Sequence, residues 1–413
     1  MEIQEVLKSL SEENDYLKNL QEQRNHTEAL SVSQSMITKV DSVDLTNQLS
    51  KLQRAQLFFY KGRALAVQDT YDKAAEDYLT KSVKLDPTNF EAWNWLGEIF
   101  YLKKDYAQSK RCFEGSMQYS GETPEALRKL SMVMRFLGEH EERKQNVRES
   151  VEIAKKAVSL SMRDGQSWYI LGNAHLTNFF VNNPSSEELN RALKSYTQAE
   201  KFLPYDDPDL HFNRATALKY FENYQEAVWE FQKAHALDST LQADSEVSKI
   251  SERVQLVSAC IAAKCNIKKK TLSNIVRSIP ELIKHNHFGS SYELKSVSEL
   301  NQRSNKEVIL ACKVLGTVTK NIVETPAIFI ACDSQGFFFA LSIYNANSSI
   351  HQQIQFNSGV FVKNPLTGRV SLTTGTSNLE YISVRIADPS HIMVDNKDIT
   401  QAFSPSEVVN KAY

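Results

Sequence analysis

The chain has 413 residues, enough for two or three domains with sizeable cores. Lys plus Arg number 48 and Asp plus Glu number 50, so the net charge of −2 excludes a chain that is basic throughout, although it permits a local basic patch. The composition is that of a folded protein, with 41% hydrophobic and 10% aromatic residues, and the low counts of Gly (13) and Pro (10) favour helices.

The N-terminus begins with the acidic, polar stretch MEIQEVLKSLSEEND, which does not have the pattern of a signal peptide. No stretch approaches the roughly 18 apolar residues of a membrane span. The five cysteines have no framework spacing: Cys112, Cys260, Cys265, Cys312 and Cys332. These features predict an intracellular protein of a reducing compartment that does not act at a membrane.

Residues 1–54 read as long polar helices that cap the structure that follows. Val6, Leu7, Leu10, Leu17 and Leu20 recur at helical spacing. Residues 1–50 hold nine acids against four bases, a net of −5. A solvated cap is the first interpretation, and a coiled-coil partner site is the alternative.

From residue 55 onward the sequence repeats at a spacing of about 34 residues, the period of the tetratricopeptide repeat. The residues that match its pattern are Trp93, Leu96, Gly97, Phe100 and Phe113 in one copy, Trp168, Leu171, Gly172, Ala192, Tyr196, Ala199 and Pro204 in another, and Ala227, Phe231 and Ala234 in a third, where His211 replaces Trp. Two further copies, around Gly62 and Leu127, are degenerate. Because Gly and Ala permit close helix approach and aromatics fill the gaps between hairpins, the pattern predicts a mainly α protein with a five-repeat solenoid and a capping helix over residues 55–263.

The period changes after the solenoid. The β-rich runs are VILACKVLGTV, AIFIAC, FFFALSIY, GVFV and YISVRI, separated by Gly, Asn, Pro and Ser turns. They predict a small OB-like β-barrel over residues 290–402, with Gly316 at a bend in the first strand. Residues 264–289 are predicted to be a basic linker and residues 403–413 a tail.

The sequence carries no pattern of a catalytic or cofactor site. It has no GxxxxGK[ST] or GxGxxG loop for phosphates and no GxSxG nucleophile. His285 and His287 form an isolated HxH pair, and Cys260 and Cys265 lack the second ligand pair of a zinc site. A non-enzymatic protein without catalytic residues, metal or cofactor is therefore expected.

The repeat register predicts which side chains face the concave groove of the solenoid. In each copy these are the residues two before and one, five, eight and nine after the Trp position. The predicted groove residues are Glu91, Asn94, Glu98, Tyr101 and Leu102; Glu125, Arg128, Met132, Arg135 and Phe136; Gln166, Tyr169, Asn173, Leu176 and Thr177; and Asp209, Phe212, Thr216, Lys219 and Tyr220. Charges of both signs, amides and aromatics suit a short peptide that carries both a basic and an acidic side chain.

A second charged surface is predicted at the junction before the barrel. The bases are Lys264, Lys268, Lys269, Lys270, Arg277 and Lys284, with one acid, Glu281, among them. Such a cluster can contact RNA phosphates without reading sequence, and a solubilising linker is the alternative. The barrel region from residue 290 carries ten bases and ten acids, so charge does not favour DNA binding there.

The residues that carry a family resemblance are the stretches NFEAWNWLGEIFY, LSMVMRFLGE, DGQSWYILGNAHL and DPDLHFNRATALKY, the cluster Lys268–Lys270 and the terminal barrel. Over residues 55 to 400 the chain resembles the Strap family (tetratricopeptide repeat protein five), which joins repeats to an OB fold. The resemblance implies an adaptor that reads the nascent Met-Arg-Glu N-terminus of tubulins at the ribosome and triggers tubulin mRNA decay. It also implies a second, nuclear role as a stress-responsive transcription cofactor with an acetyltransferase coactivator and p53, and hence a cytoplasmic and nuclear location.

The resemblance assigns roles to particular residues of this sequence. It implies that Arg135 binds the Glu of the peptide and that Asp209 binds its Arg, both of which register already places in the groove. Asn173, Tyr169, Arg128 and Phe212 complete the expected peptide-binding set. Lys268 and Lys270, with Lys269 between them, are the expected contacts to ribosomal RNA near the exit tunnel, and mRNA-decay adaptors are the expected further partners. The family's other acidic contact aligns near Ala243 and Asp244.

A cochaperone that grips an acidic C-terminus is a third alternative. That clamp requires Lys one residue after the Trp position and Asn four residues further on. The corresponding pairs here are Asn94 and Glu98, Arg128 and Met132, and Tyr169 and Asn173, so the clamp pattern is not met.

Overall fold

The computed structural model describes residues 3–22, 25–43, 49–68, 70–182, 185–284, 292–302, 305–318, 326–347, 349–375, 377–399 and 402. The chain divides into two compact units. The first unit comprises Met1–Asn178 and Lys194–Asp206, and the second comprises Phe179–Leu193 and Asp207–Tyr413. The predicted fold class is confirmed, because a helical repeat array precedes a C-terminal OB-like β domain.

The helices pair into hairpins along the chain. They are α1 (Ile3–Glu22), α2 (His26–Asp41), α3 (Lys51–Leu65), α4 (Lys73–Leu85), α5 (Phe90–Leu102), α6 (Tyr106–Ser120), α7 (Pro124–Met134), α8 (His140–Leu160), α9 (Gly165–Val181), α10 (Ser186–Phe202), α11 (Pro208–Tyr220), α12 (Tyr224–Leu237), α13 (Ala243–Ala262), α14 (Lys269–Lys284) and α15 (Ile350–Gln353). Helices α3 to α12 form the five predicted repeats, two helices to each, and α13 follows as the capping helix.

The repeat signature works through close packing inside each hairpin. A Cβ atom on Gly97 of α5 would lie 2.5 Å from the ring of Phe113 on α6. The same holds in the fourth repeat, where a Cβ on Gly172 would lie 2.5 Å from the ring of Tyr196. Real Cβ atoms do not approach so closely, so glycine is required at both positions for the aromatic ring to lie against the helix backbone.

The N-terminal helices fold onto the first repeat. Leu10 and Leu17 of α1 are fully buried, in one apolar cluster with Met36 of α2 and with Leu57 and Ala64 of α3. The leucine stripe is therefore already buried within the chain, which removes the basis for the coiled-coil alternative.

The described residues of the C-terminal domain form nine strands. They are β1 (Glu293–Leu294), β2 (Val308–Thr317), β3 (Ala327–Asp333), β4 (Phe338–Ile343), β5 (Gly359–Lys363), β6 (Leu366–Thr374), β7 (Ser377–Ile386), β8 (Ile392–Val394) and β9 (Lys397–Asp398). The five predicted runs correspond to β2, β3, β4, β5 and β7, and the predicted bend at Gly316 coincides with a shift of the β2–β3 register between Val314 and Gly316.

Strands β5 and β6 close the barrel as two halves of one bent strand. The bend lies at Asn364, whose φ of 48° is left-handed, and Pro365. Before the bend β5 pairs with β2, and after it β6 pairs with β7. Because β7 also pairs in parallel with β4, the ring runs β2, β3, β4, β7, β6 and back through β5, which is the topology of a five-stranded OB barrel.

Strands β2 to β5 and the second half of β7 are largely buried on both faces. Inward-facing residues such as Leu310, Phe329 and Leu341 form the barrel core. The outer faces of β3, β4, β6 and β7 pack against α12 and α13, in a cluster that includes Ile330 and Val254. Burial on both sides explains why these strands read as continuous apolar runs rather than as alternating ones.

Helix α14 occupies most of the range that the sequence predicts to be a basic linker. Ile275 and Ile279 are buried against Ile309 of β2 and Phe361 of β5. A periodic apolar face therefore docks this segment on the barrel, so its described part is a packed helix and not an extended linker. The HxH pair His285 and His287 lies outside the described residues.

Candidate peptide and RNA interfaces

Arg135 is a buried cation whose hydrogen-bonding capacity is not used up. It lies at the C-terminal cap of α7 and is 2% exposed. Its Nε and Nη1 atoms are buried and have no hydrogen-bond partner among the described residues. A buried guanidinium with unused donors is unfavourable unless an anion binds it.

Aromatic side chains surround Arg135. On one side Tyr106 stacks on Phe136 at 4.9 Å, and Tyr101 packs edge-on against Phe136 at 5.8 Å between ring centroids. The guanidinium carbon lies 6.0 Å from the centre of the Phe136 ring. These rings exclude water from the neighbourhood of the cation, so an anion that reaches it would interact at low local polarity.

Tyr169 and Tyr196 also lie near Arg135 and complete an aromatic pocket, with their ring centroids 6.4 Å apart. Tyr196 donates a hydrogen bond to Asn173 Oδ1 at 2.8 Å. Burial lowers the pKa of Arg135, and the nearby Tyr101, Tyr169 and Tyr196 act in the opposite direction. The predicted groove residues Arg135, Tyr169 and Asn173 are thus brought together in the first unit. Tyr196 belongs to the pocket too, and the residue pattern misses it because its position in the repeat marks a packing residue.

Arg128 is engaged within the protein. Its Nη1 forms an ion pair with Asp164, which also accepts hydrogen bonds from the Gln166 backbone and the Ser167 hydroxyl at the start of α9. The cation therefore holds the third repeat to the turn that begins the fourth. A ligand would have to displace Asp164 to use it.

Asp209 and Phe212 lie on α11 in the second unit. Asp209 is exposed in the first helical turn, where the helix dipole favours a negative charge, and its backbone N–H donates to Asp207 Oδ1 at 2.9 Å. Phe212 packs edge-on against Phe231 of the same repeat at 5.1 Å. Phe212 is therefore mainly a packing residue, whereas Asp209 is presented to solvent.

A carboxylate from α13 reaches the predicted groove position Lys219. Glu246 Oε2 lies 2.7 Å from Lys219 Nζ, and its other oxygen lies 2.7 Å from Lys249 Nζ. Burial acts to raise the pKa of Glu246, but the two lysines outweigh it and lower the pKa to about 2. Ala243 is buried, and Asp244 is exposed with an oxygen 3.8 Å from His235. Repeat register does not predict Glu246 because α13 lies beyond the last repeat.

The last predicted groove residue, Tyr220, packs against the barrel within the second unit. Its ring lies 5.9 Å from that of Tyr344, and its carbonyl accepts a hydrogen bond from Arg385. Tyr344 donates to Glu222 Oε1 at 2.9 Å in a buried site. The buried Tyr344 and Glu222, together with the partly buried Arg385, thus fix the end of α11 to the barrel.

The lysine patch, here Lys268, Lys269 and Lys270, begins α14. All three side chains are exposed, as is Arg277 further along the helix. Cations at a helix N-terminus add to the positive end of the helix dipole, so this arrangement favours a bound anion. Contact of α14 with the barrel fixes the direction in which the lysines point.

The described residues contain neither a metal-binding cluster nor a membrane-spanning helix. There, no group of three or more His, Cys, Asp or Glu side chains is placed to hold a metal ion. No helix in the described ranges combines the length and apolarity needed to cross a bilayer.

The fold and these surfaces define a tetratricopeptide-repeat protein of the adaptor class, with a C-terminal OB barrel. A model for the tetratricopeptide repeat protein 5 OB fold domain matches residues 291–406, and one for the tetratricopeptide repeat matches residues 78–111. Human tetratricopeptide repeat protein 5 is 32% identical over 359 residues, covering 83% of this chain and 81% of the relative, and the mouse protein is 32% identical over 374 residues, covering 86% and 83%. The chain belongs to the tetratricopeptide repeat protein 5 family.

Among solved structures, the repeat protein YrrB aligns with 52% of this chain and 99% of its own, at 15% identity and a TM-score of 0.35. That likeness is too low to support any argument about this protein.

Proposed function

We propose that this protein is a non-enzymatic adaptor that binds the nascent N-terminal Met-Arg-Glu peptide of tubulins at the ribosome and triggers decay of the translated mRNA. It acts in the cytoplasm, where tubulin is made, and recruits mRNA-decay factors through other surfaces. The observation that carries the proposal is the buried Arg135, whose Nε and Nη1 have no partner in the described part of the chain.

A glutamate side chain is a suitable ligand for the aromatic pocket around Arg135. It supplies one carboxylate, which would accept from the unused guanidinium donors in a charge-assisted pair. Its methylene groups would lie among the rings of Tyr101, Phe136 and Tyr169. Loss of one partner of such a buried pair costs about 2–5 kcal/mol of binding free energy.

The peptide arginine is assigned to Asp209, a solvent-exposed carboxylate at the start of α11. Glu246 is the second carboxylate that we include, in place of the expected contact near Ala243 and Asp244. Since Glu246 already pairs with Lys219, an incoming guanidinium would share that carboxylate with an internal cation.

The lysine patch is assigned to ribosomal RNA near the tunnel exit. Three exposed lysines at the start of a helix can neutralise phosphates of the RNA backbone, and such contacts do not depend on the RNA sequence. This contact is expected to weaken steeply with salt, whereas the largely buried Arg135 contact is expected to be less sensitive to it.

A peptide titration tests the assignment. Met-Arg-Glu-Ile is titrated into the full-length protein by calorimetry or fluorescence anisotropy, with Met-Glu-Arg-Ile as the scrambled control. Arg135→Met and Asp209→Asn are each expected to weaken binding at least about tenfold, in keeping with loss of one charge-assisted pair. The matched controls Arg148→Met and Asp77→Asn change exposed residues of the same types and leave affinity unchanged. Equal affinity for both peptides, or wild-type affinity in both groove variants, excludes the proposed recognition.

Ribosome co-sedimentation tests the lysine patch. The double variant Lys268→Glu, Lys270→Glu is expected to lose sedimentation with translating ribosomes while it retains peptide affinity. Lys51→Glu with Lys84→Glu makes the same change of net charge at exposed sites in the first unit and serves as the control. Undiminished sedimentation of the patch variant contradicts the assignment.

A further inference from the structure

Arg63 occupies a groove-facing position, yet it is shielded from solvent. It follows Gly62 and lies five residues after Phe58, which takes the Trp position of the first repeat. Its side chain is 1% exposed. The guanidinium stacks 3.7 Å above the ring of Trp95, and Nη2 donates to Gln21 of α1. The groove side of the first repeat is therefore in contact with α1.

Arg63 also retains an unused donor. Its Nη1 is buried and has no hydrogen-bond partner within the described ranges. Burial lowers its pKa to about 9, with Glu91 acting in the opposite direction. The Gln21 amide satisfies one nitrogen without neutralising the charge, so the site under α1 keeps a preference for an anion.

Electrostatic effects also place α1 near residues of the first and third repeats. Ser11 and Asp15 act on the phenol of Tyr60, whose pKa burial raises and the Ser11 hydroxyl lowers. Burial acts to raise the pKa of Glu125, and Lys129 and Lys18 both lower it. Glu125 is a predicted groove residue of the third repeat, so the second half of α1 reaches past the first repeat.

An apolar seam fixes the helix in this place. Leu10 and Leu17 are fully buried and Leu20 is 2% exposed, in one cluster with Leu57 and Ala64 of α3. Burial of several leucines stabilises this contact by several kcal/mol, at about 1.5–3 kcal/mol per side chain. The helix is thus a permanent neighbour of the groove.

We infer that the second half of α1 (Asp15–Gln21) closes the first-repeat end of the groove and limits how much of a peptide the repeats can bind. A peptide anchored at Arg135 cannot extend to Arg63, because Gln21 already occupies that cation. The adaptor then reads a few terminal residues and not a long segment. This inference rests on the proposed function in one respect: the ligand is taken to be a peptide held at Arg135.

Zero-length cross-linking tests the position of α1 without any ligand. The full-length protein is treated with a water-soluble carbodiimide, which joins an amine to a carboxylate when the two side chains can reach each other, and the products are mapped by mass spectrometry. An amide between Lys18 and Glu125 is expected. Lys8, an exposed lysine earlier on the same helix, is expected to form none with Glu125. Absence of the Lys18–Glu125 product overturns the inference.

Peptide length tests the closure itself. Met-Arg-Glu-Gly-Gly-Glu-Glu and Met-Arg-Glu-Gly-Gly-Ser-Ser are compared with Met-Arg-Glu on the wild type, and all three are expected to bind within about twofold of one another. In the triple variant Leu17→Ala, Leu20→Ala, Gln21→Ala, the apolar seam that holds the helix is weakened and Arg63 is left without its Gln21 partner. The Glu-Glu peptide should then bind about fivefold more tightly than the Ser-Ser peptide, which corresponds to one new charge-assisted contact.

The matched variant Gln21→Glu supplies Arg63 with a carboxylate and should abolish any gain from the acidic extension. A wild type that already prefers the Glu-Glu peptide, or a loosened variant without that preference, overturns the closure. Failure of every peptide to bind the wild type refutes the proposed function instead, and the cross-link still decides where α1 lies.

Discussion

Each of the two compact units has a cation at a predicted groove position, and the two cations differ in whether a carboxylate of the protein pairs with them. In the first unit Arg135 is 2% exposed and its Nε and Nη1 have no partner among the described residues. In the second unit Lys219 is paired with Glu246 at 2.7 Å. Within the described residues, Nε and Nη1 of Arg135 have no hydrogen bond to offset their desolvation, whereas the desolvation of Lys219 is offset by an internal carboxylate.

This difference separates a binding residue from a structural one. A protein gains nothing in stability from a buried cation with unused donors, so such a residue is expected to persist for the ligand it binds. An ion pair that closes on itself can instead hold two helices together. The repeat register predicts that both Arg135 and Lys219 face the groove. Only the internal ion pair of Lys219 shows that the two residues have different roles.

The most direct test of this difference is to replace Arg135 and Lys219 in turn by an uncharged residue. Arg135→Met is expected to raise the free energy of unfolding by about 1–2 kcal/mol, because an apolar side chain replaces an uncompensated charge. Lys219→Met is expected to lower it by about 2 kcal/mol, less than for a fully buried pair because both side chains are about one-fifth exposed and Lys249 remains on Glu246. Urea denaturation of the full-length variants measures both values. Two changes of the same sign would show that Arg135 has an internal partner after all.

A second test uses acid, since each unit contains a carboxylate whose pKa is lowered to about 2. In the first unit burial opposes this shift at Glu76, but Lys103, Tyr71 and Lys73 outweigh it; in the second the carboxylate is Glu246. A carboxyl whose folded pKa lies below its ordinary 4.5 stabilises the fold above that value, and the stabilisation is lost as the pH falls from about 4.5 to 2. Each contributes up to about 3 kcal/mol, at 1.36 kcal/mol per pH unit.

The variants Glu76→Gln and Glu246→Gln should each flatten the dependence of unfolding free energy on pH between 4.5 and 2, by a similar amount in the two units. Denaturant titrations at half-unit pH intervals provide the measurement. An unchanged acid slope in either variant would mean that its carboxylate is not held in the ionised form by the lysines.

The contact between α11 and the barrel provides a third test. Tyr344→Phe removes the hydrogen bond to Glu222 Oε1, and Glu222 Oε2 already lacks a partner among the described residues. The unfolding free energy should fall by about 1–3 kcal/mol, because a buried carboxylate loses its donor. Tyr119→Phe changes a tyrosine that is 44% exposed and should alter stability by no more than about 0.5 kcal/mol. Equal effects of the two substitutions would exclude a stabilising role for the Tyr344 hydroxyl.

The smallest expected effect concerns the turn before the lysine patch. Lys264, Cys265 and Asn266 have φ values of 48°, 53° and 54°, a left-handed run that L-residues adopt at a cost. Lys264→Gly should raise the melting temperature, with a gain of about 0.5–1 kcal/mol. Lys270→Gly, in the first turn of α14, should instead lower it by a comparable amount. Calorimetry on the two variants measures both shifts, and destabilisation by Lys264→Gly would refute the strain.

Much of the fold follows from the sequence because its signals are periodic. Gly97 and Gly172 mark hairpins whose packing admits nothing larger, and the apolar runs of β2 to β5 and β7 mark strands buried on both faces. Strand β6 escapes prediction because its residues alternate between buried and exposed and include several Thr and Ser, so that it lacks a continuous apolar run. Helix α14 is not predicted because its lysines suggest a linker. Its apolar face packs against the barrel, and that contact exists only in the folded protein.

The candidate site divides in the same way. The repeat register predicts that Arg135, Tyr169 and Asn173 all face the groove. In the structure the three residues lie around one pocket in the first unit. Register cannot show that Arg128 is paired with Asp164 or that Lys219 is paired with Glu246, because both partners lie outside the positions that define the groove. Whether a charged side chain forms an internal ion pair depends on which residues lie next to it in the folded protein, and the repeat pattern does not specify those residues.

The sharing of one apolar cluster between the fifth repeat and the barrel has a consequence for folding. Repeat arrays usually assemble by adding one unit at a time, each completed by its immediate successor. Here Phe231 and Val254 are packed in the same cluster as Ile330 and Tyr381. During synthesis the cluster that buries the fifth repeat stays incomplete until β7, which ends at Ile386, has left the ribosome. The second unit is therefore expected to fold in a single cooperative step, and Asp209 to reach its final position only after β7 has been synthesised.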